Sequence, residues 1–331
     1  MIKAFLTTVV LFFITICGYA YHGESLIKIK DNLYIITGLG GNITFLISTD
    51  GVLVVDAGTV KQDASKIKKY IQSVTDKPIK YLILTHYHFD HSGGTCGFDK
   101  DVKIITHKND QKNLIVDGQA SIDNYTINDI GAQVLFLKGK LDSLKSQKDT
   151  IGSDLENRYN NHLQQYNSSK ETFVAQPDLI FDGELQIVLG YDTINLVHMG
   201  NTHTDGSICV IFKSKNVIST GDFFFNKYIP SIAYGMSDTE NWIGQLQRFA
   251  DYNFDIYIPG HGQIGKSVDL KEQAKYLVDL RSEVEKCIDK GMNCKETIRS
   301  VKMIQYSHYE YQFLLECGVQ AVYKELKNNV P

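Results

Sequence analysis

Short apolar segments recur along the chain, separated by turn residues or by amphipathic stretches. Leu33–Thr37, Thr44–Ser48 and Val52–Asp56 read as strands divided by Gly and Asp-Gly turns. Lys61–Val74 follows a helical period, with Ile67, Ile71 and Val74 on one face. Tyr81–Thr85 and Val102–Thr106 are strand-like again. So are Leu185–Leu189, Thr193–Val197, Ile208–Phe212, Val217–Thr220 and Ile256–Ile258. Ser237-Asp238-Thr239-Glu240 has the spacing of a capping box and opens a helix carrying Trp242, Leu246 and Phe249. Helices are expected over about 269–328. Strands and helices mixed in two similar halves predict an α/β domain with two sheets covered by helices.

One stretch breaks this scheme. Over about 125–170, Ile130, Val134, Leu137, Leu141, Leu144, Ile151 and Leu155 recur at three- and four-residue steps, apart from one skipped position at Lys148. That spacing predicts a helical insertion, a hairpin broken near Gly152-Ser153-Asp154. A flap packed on the domain is the simpler reading; a lid or a homodimer arm is the sharper one.

The N-terminus has its own pattern. Lys3 precedes an almost unbroken apolar run from Ala4 to Cys17, and Gly18-Tyr19-Ala20 supplies small residues before a cut after Ala20. This is the layout of a secretory signal peptide, so residues 21–331 form the expected mature domain. The run is shorter than the roughly 20 residues that span a bilayer, so no stable membrane anchor is expected after cleavage. The expected location is periplasmic or secreted. Cys96, Cys209, Cys287, Cys294 and Cys317 would remain, an odd number for an oxidising compartment. Cys287 and Cys294 flank Gly291 and are the pair to check for a disulfide.

Composition narrows the picture. The chain has 331 residues, of which 43% are hydrophobic and 22% charged, the values of a globular protein with a sizeable core. Thirty-four basic against 38 acidic residues give a net charge of −4, which argues against a nucleic-acid partner. A small-molecule substrate fits better.

The densest chemistry lies in Thr85-His86-Tyr87-His88-Phe89-Asp90-His91-Ser92-Gly93-Gly94, directly after a strand. Only ten histidines occur in the chain, and three stand within six residues here. In extended backbone His86 and His88 point the same way, and a turn at Phe89 would bring Asp90 and His91 round to them. Imidazole and carboxylate suit zinc, and burying so many of them without a cation is costly. Further donors stand at strand ends: His203 in Gly-Asn-Thr-His-Thr-Asp-Gly, Asp222 in Thr-Gly-Asp, and His261 in Pro-Gly-His-Gly. Together they supply five His and two Asp.

With these residues the sequence resembles the metallo-β-lactamase superfamily. His-Tyr-His-Phe-Asp-His fits its HxHxDH motif, and the opening LYIITGLGGNITFLISTDGVLVVDAG is also typical. The resemblance covers roughly residues 25–265 outside the insertion. It implies an αββα sandwich of two mixed β-sheets flanked by helices, with metals at one edge. It implies one zinc on His86, His88 and His203, a second on Asp90, His91 and His261, and Asp222 between them; iron or manganese are the alternative metals. Asp90 is then both ligand and the group that orients the attacking water or relays its proton.

The implied activity is that of an exported dinuclear zinc hydrolase whose metal-bridging hydroxide attacks a carbonyl, in an ester, lactone or thioester. No G-x-S-x-G motif offers a rival nucleophile. Aspartate at 222, where β-lactamases of this fold carry Cys or Ser, turns the reading toward general hydrolases of the glyoxalase II-like type. His88, in place of the Glu of the diiron flavoprotein branch, turns it away from redox chemistry. Thr202 stands where Gly is frequent. The alternatives are a metallo-β-lactamase, a mononuclear iron sulfur dioxygenase, and a non-catalytic binding protein of the same fold.

Weaker candidates surround these. Asp56, at a strand end, is placed to hydrogen-bond a metal-binding histidine. His107 and His198 also follow strands and read first as surface or core residues. Phe223, Phe224, Phe225, Tyr228 and Tyr234 are candidates for an apolar pocket wall, with at least half of them expected in the core.

Overall fold

Every residue of Gly51–Val55 is buried, and its alternation shows how the layers are built. Val52 and Val54 pack outward with Ile67 and Ile71, while Leu53 and Val55 pack inward with Leu196 and Val210. A strand buried on both faces needs cover on both, which a sandwich of two sheets between helical layers provides.

The computed structural model describes residues 23–146 and 153–328. The leader at 1–20, and Ile151 of the heptad-like run, lie outside the described residues. The first sheet holds β1 (Ser25–Lys30), β2 (Leu33–Leu39), β3 (Gly41–Ser48), β4 (Gly51–Val55), β5 (Ile79–Ile83), β6 (Lys103–His107) and β7 (Leu179–Phe181), in sequential order. Its first four strands pair antiparallel and β4 to β7 pair parallel. The chain then crosses to β8 (Glu184–Leu189), β9 (Asp192–His198), β10 (Ile208–Phe212) and β11 (Val217–Ser219). β12 (Phe225–Asn226), β13 (Ile256–Ile258) and β14 (His261–Gly262) follow. The second sheet runs β13-β11-β10-β9-β8, with β13 and β11 parallel and the rest antiparallel. Both sheets are mixed, as expected.

Helix α1 (Lys61–Gln72) crosses from β4 to β5 and covers the first sheet. A single turn, α2 (Phe89–Ser92), follows β5. Between β6 and β7 the insertion comprises α3 (Lys108–Asn113), α4 (Gln119–Asn124), α5 (Gly131–Ser146) and α6 (Ser153–Lys170), with wide π turns before α4 and α5. The second sheet is covered by α7 (Thr239–Asp251), α8 (Ser267–Asp289), α9 (Cys294–Ser300) and α10 (Leu314–Asn328). Trp242, Leu246, Leu277 and Leu280 share one buried cluster there with Cys209 and Ile218.

Several details differ from the sequence reading. Helical backbone begins at Lys108, well before residue 125, because polar Lys-Asn-Asp-Gln-Lys-Asn hides the apolar period. In place of the expected box there is a simple N-cap: Asp238 caps α7 by accepting from Asn241 N. Ser237 donates instead to the carbonyl of His203, at 2.9 Å. Val60 precedes α1 and cannot cap it through its side chain. The insertion supplies that function: Lys61 N donates to Thr172 Oγ1 and Gln62 N to Ser168 Oγ, both at 2.9 Å. Cys287 and Cys294 are not bonded, and no described helix is long and apolar enough to cross a membrane.

The inter-sheet core dictates stability. Leu196→Ala, at a fully buried position of β9, should lower unfolding free energy by about 2–5 kcal/mol. Val188→Ala, on the exposed face of β8, should change it by less than about 0.5 kcal/mol. Denaturant midpoints at equal slope measure both; equal effects would mean the inner face is not the principal core.

Candidate metal centre

Parallel strands deliver their C-terminal ends to one edge. After β4 comes Asp56, after β5 the His86–His91 loop, after β11 Asp222, and after β13 His261. The β9–β10 connection brings His203 to the same edge. The structure places all seven candidate donors in one cluster. The donor atoms of His86, His88, His203 and Asp222 lie within 4.8 Å of one another, as do those of Asp90, His91 and His261.

Asp222 links the two groups. Its Oδ2 is 3.4 Å from His203 Nε2 and 3.7 Å from His86 Nε2. Its Oδ1 is 3.1 Å from His91 Nε2 and 3.5 Å from His261 Nε2. Asp90 Oδ2 lies 3.1 Å from His261 Nε2. His88 turns Nδ1 inward, 3.1 Å from His86 Nε2 and 2.8 Å from His203 Nε2.

The outer ring nitrogens have fixed partners. His203 Nδ1 donates to the carbonyl of Ser231 at 2.9 Å, which leaves Nε2 an inward lone pair. Thr85 Oγ1 donates to Asp56 Oδ2 at 2.9 Å, so it accepts from His86 Nδ1 at 3.1 Å, and His86 Nε2 also points a lone pair inward. Asp56 Oδ2 accepts from His91 Nδ1 at 2.8 Å. Asp56 Oδ1 accepts from Thr85 N at 2.8 Å. The carboxylate is buried, and Asp56 adopts the left-handed region at φ 67, a costly conformation for a side chain outside glycine. One residue thus orients two imidazoles from behind.

This donor set fits a cation. Lone pairs of His86 and His203 converge on one nitrogen of His88, and Asp222 adds a buried carboxylate whose Oδ1 has no hydrogen-bond partner. Burial and the neighbouring imidazoles hold His86 well below the usual histidine range. Burial, then His203, pushes His88 down to about 3. Burial also lowers His203. In the second group burial opposes charge on His91 and His261, yet Asp222 and Asp90 outweigh it and raise both. Burial likewise opposes ionisation of Asp222 and Asp90, and His91 and His261 overcome it. The edge therefore favours positive charge at the second group, while the first keeps His86, His88 and His203 neutral and suited to metal ligation.

Backbone around the donors is tightly fitted. A Cβ at Gly41 would collide with the His91 ring, and one at Gly260 with Asp222 Oδ1. Trp242 Nε1 donates to the carbonyl of Phe223 at 2.8 Å, and Phe225 N donates to Gln273 Oε1 at 2.7 Å, which fixes the turn after Asp222 from α7 and α8. Thr202 is fully buried and does not displace His203.

Other candidates fall elsewhere. His107 and His198 stack on each other at 3.7 Å, outside the cluster. Phe223, Phe224 and Phe225 are core, Tyr228 is half-buried, and Tyr234 is exposed with its hydroxyl accepting from Asn328 Nδ2. The sequence reading missed Thr85 and Ser231, whose roles are contacts with no motif, and Tyr311, whose ring lies 6.0 Å from that of His261.

Asp56→Asn keeps the shape and removes the charge behind His91. It should weaken metal binding by about 10–100-fold with secondary structure unchanged. Competition with a chelating dye measures this; wild-type affinity would exclude the orienting role.

The fold has counterparts. The family model of the metallo-beta-lactamase superfamily matches residues 36–261. A linear primary-alkylsulfatase from Pseudomonas sp. is 20% identical over 291 residues, which are 83% of this chain and 53% of that protein. The solved stereoselective inverting sec-alkylsulfatase Pisa1 from Pseudomonas sp. superposes with a TM-score of 0.65 at 16% identity, covering 91% of this chain and 50% of that one. A metallo-beta-lactamase from Pontibacter korlensis gives a TM-score of 0.53 at 15% identity, covering 77% of this chain and 99% of that one. The chain spans about half the length of these alkylsulfatases, and likenesses at this identity speak for the fold. With the family model matching more than half of its length, the chain belongs to the metallo-β-lactamase superfamily.

Proposed function

We propose that the chain is a dinuclear zinc hydrolase that cleaves a small-molecule ester, lactone or thioester. The observation that carries this reading is the division of the Asp222 carboxylate, Oδ2 toward one imidazole group and Oδ1 toward the other. His86, His88 and His203 would hold one cation; Asp90, His91 and His261 would hold the other, with Asp222 shared. Two such cations supply ionised water near neutral pH and polarise the scissile bond.

The side chains do the rest. Asp90 is the more exposed of the two carboxylates, so it is placed to orient the attacking water or relay its proton. His86, His91, His203 and Asp222 are buried, so bulk water does not reach these donors. Cys209 offers no rival nucleophile, since burial pushes its thiol well up in the core.

A second reading is hydrolysis of a sulfate ester. Similarity to a linear primary-alkylsulfatase over 83% of the chain favours it. A panel of activated carboxylic ester, lactone, thioester, alkyl sulfate and β-lactam separates the two readings. The expected result is chelator-sensitive turnover of a carboxylic ester, lactone or thioester that rises with pH through about 7. Asp222→Asn should lower kcat/KM more than the roughly 10–100-fold typical of a residue behind the ligands. Higher kcat/KM on alkyl sulfate would select the second reading, and highest kcat/KM on the β-lactam would reject both.

We also propose export. The Lys3 start, the apolar run and Gly18-Tyr19-Ala20 support it. N-terminal sequencing of protein recovered outside the cytoplasm should begin at Tyr21; recovery with Met1 intact would count against cleavage.

A further inference from the structure

The donor cluster meets solvent unevenly. The side chains of Asp90 and His261 are 26% and 11% exposed and His88 is half-buried, whereas those of His86, His91, His203 and Asp222 are at 5% or less. The entrance therefore lies over Asp90, His88 and His261.

Two segments outside the strands of the sandwich bring aromatic rings to this entrance. Tyr125, from the insertion, stacks on Phe89 at 4.8 Å, and Phe89 stands between His88 and Asp90 in the chain. Beside His261, Tyr311, from the connection between α9 and α10, meets the His261 ring at 6.0 Å and the Tyr228 ring edge-on at 4.7 Å. Phe313 lies 5.6 Å from Tyr311.

Tyr311 is held in place against a backbone preference. It has φ 57, and Lys227 across from it has φ 63, both in the left-handed region that aromatic and long side chains avoid. The two strands of backbone are tied together: Glu310 N donates to the carbonyl of Lys227, and Ile229 N to the carbonyl of Glu310, each at 2.9 Å. Tyr306 and Tyr309 anchor the same connection through their hydroxyls, to Asp279 at 2.8 Å and Glu272 at 3.0 Å. Burial and a hydrogen bond to Glu310 push the Tyr228 phenol up to about 12, so its polar end is engaged and its ring faces Tyr311.

We infer that Phe89 with Tyr125, and Tyr311 with Tyr228, are two aromatic walls of one substrate cleft, and that they bind an apolar chain attached to the reacting ester. Strain that fixes one ring beside a metal donor is explained when that ring contacts substrate. Aromatic pairs adjoining donors of one polar centre, Phe89 next to His88 and Asp90 in the chain and Tyr311 against His261, suit a ligand with a polar head and an apolar tail. This inference rests on the hydrolase reading for the head of the ligand, and on ring geometry alone for the tail.

The test uses the full zinc-loaded chain and two readouts. Calorimetric titration with butanoate, hexanoate and octanoate should show affinity rising about two- to fourfold per added methylene. Tyr311→Ala should flatten that slope with metal content unchanged, and Tyr311→Phe should keep it. Tyr125→Ala tests the other wall and does not disturb the strained connection. In parallel, kcat/KM for the p-nitrophenyl esters of the same acids should follow the same slope. A flat slope in wild type alongside ester turnover would overturn the cleft and leave the hydrolase reading standing. A steep binding slope without turnover of any of these esters would overturn the carboxylic-ester reading and support the cleft. Slopes unchanged in both alanine variants would overturn the assignment of the walls.

Discussion

A carboxylate buried between two sets of imidazoles is stable only where positive charge shares its space. Asp222 stands in that position, and much of the surrounding structure serves it. Its two oxygens face different histidines, a glycine gives it room, and hydrogen bonds from Trp242 and Gln273 fix the turn that carries it. Charge is the organising quantity at this edge. Asp222 and Asp90, with Asp56 behind His91, offset the burial that opposes protonation of His91 and His261.

The fold concentrates donors because parallel strands end together. β4, β5, β11 and β13 each finish at the same edge, so residues far apart in the chain meet without long loops. Asp56 shows the cost of that arrangement. It leaves β4 in a left-handed conformation, and in return its carboxylate binds Thr85 and His91 at once. Removing the strain would free the backbone and unfasten both imidazoles behind which it stands.

Local pattern made part of this legible. Short apolar runs such as Val52–Val55 reported two sheets covered by helices, the resemblance implied their sandwich, and the clustered histidines reported the centre, because such runs and clusters join residues close in sequence. β1 escaped notice because Ser-Leu-Ile-Lys-Ile-Lys lies at a sheet edge and is largely exposed. β7 is three residues long and carries no period. The start of the insertion was hidden by polar residues and by wide turns that shift the helical repeat. Tyr311 belongs to no motif; its place follows from the backbone pairing of its neighbour Glu310 with Lys227 and Ile229, which only the folded chain contains.

The capping of α1 has a consequence for the order in which this protein assembles. The helix begins at Lys61, but the hydroxyls that accept its first amides come from Thr172 and Ser168, 111 and 106 residues later. Closing so long a loop costs little at equilibrium, since each doubling of length adds only about 0.6 kcal/mol. It weighs more on kinetics, where contacts distant in sequence slow folding. During synthesis α1 emerges well before its caps, and its first turn must wait for the whole insertion to return. Residues 108–172 are therefore spliced into the framework beside the metal-binding loop, and a chain that stalls or is cut within them leaves the first amides of α1 without these caps.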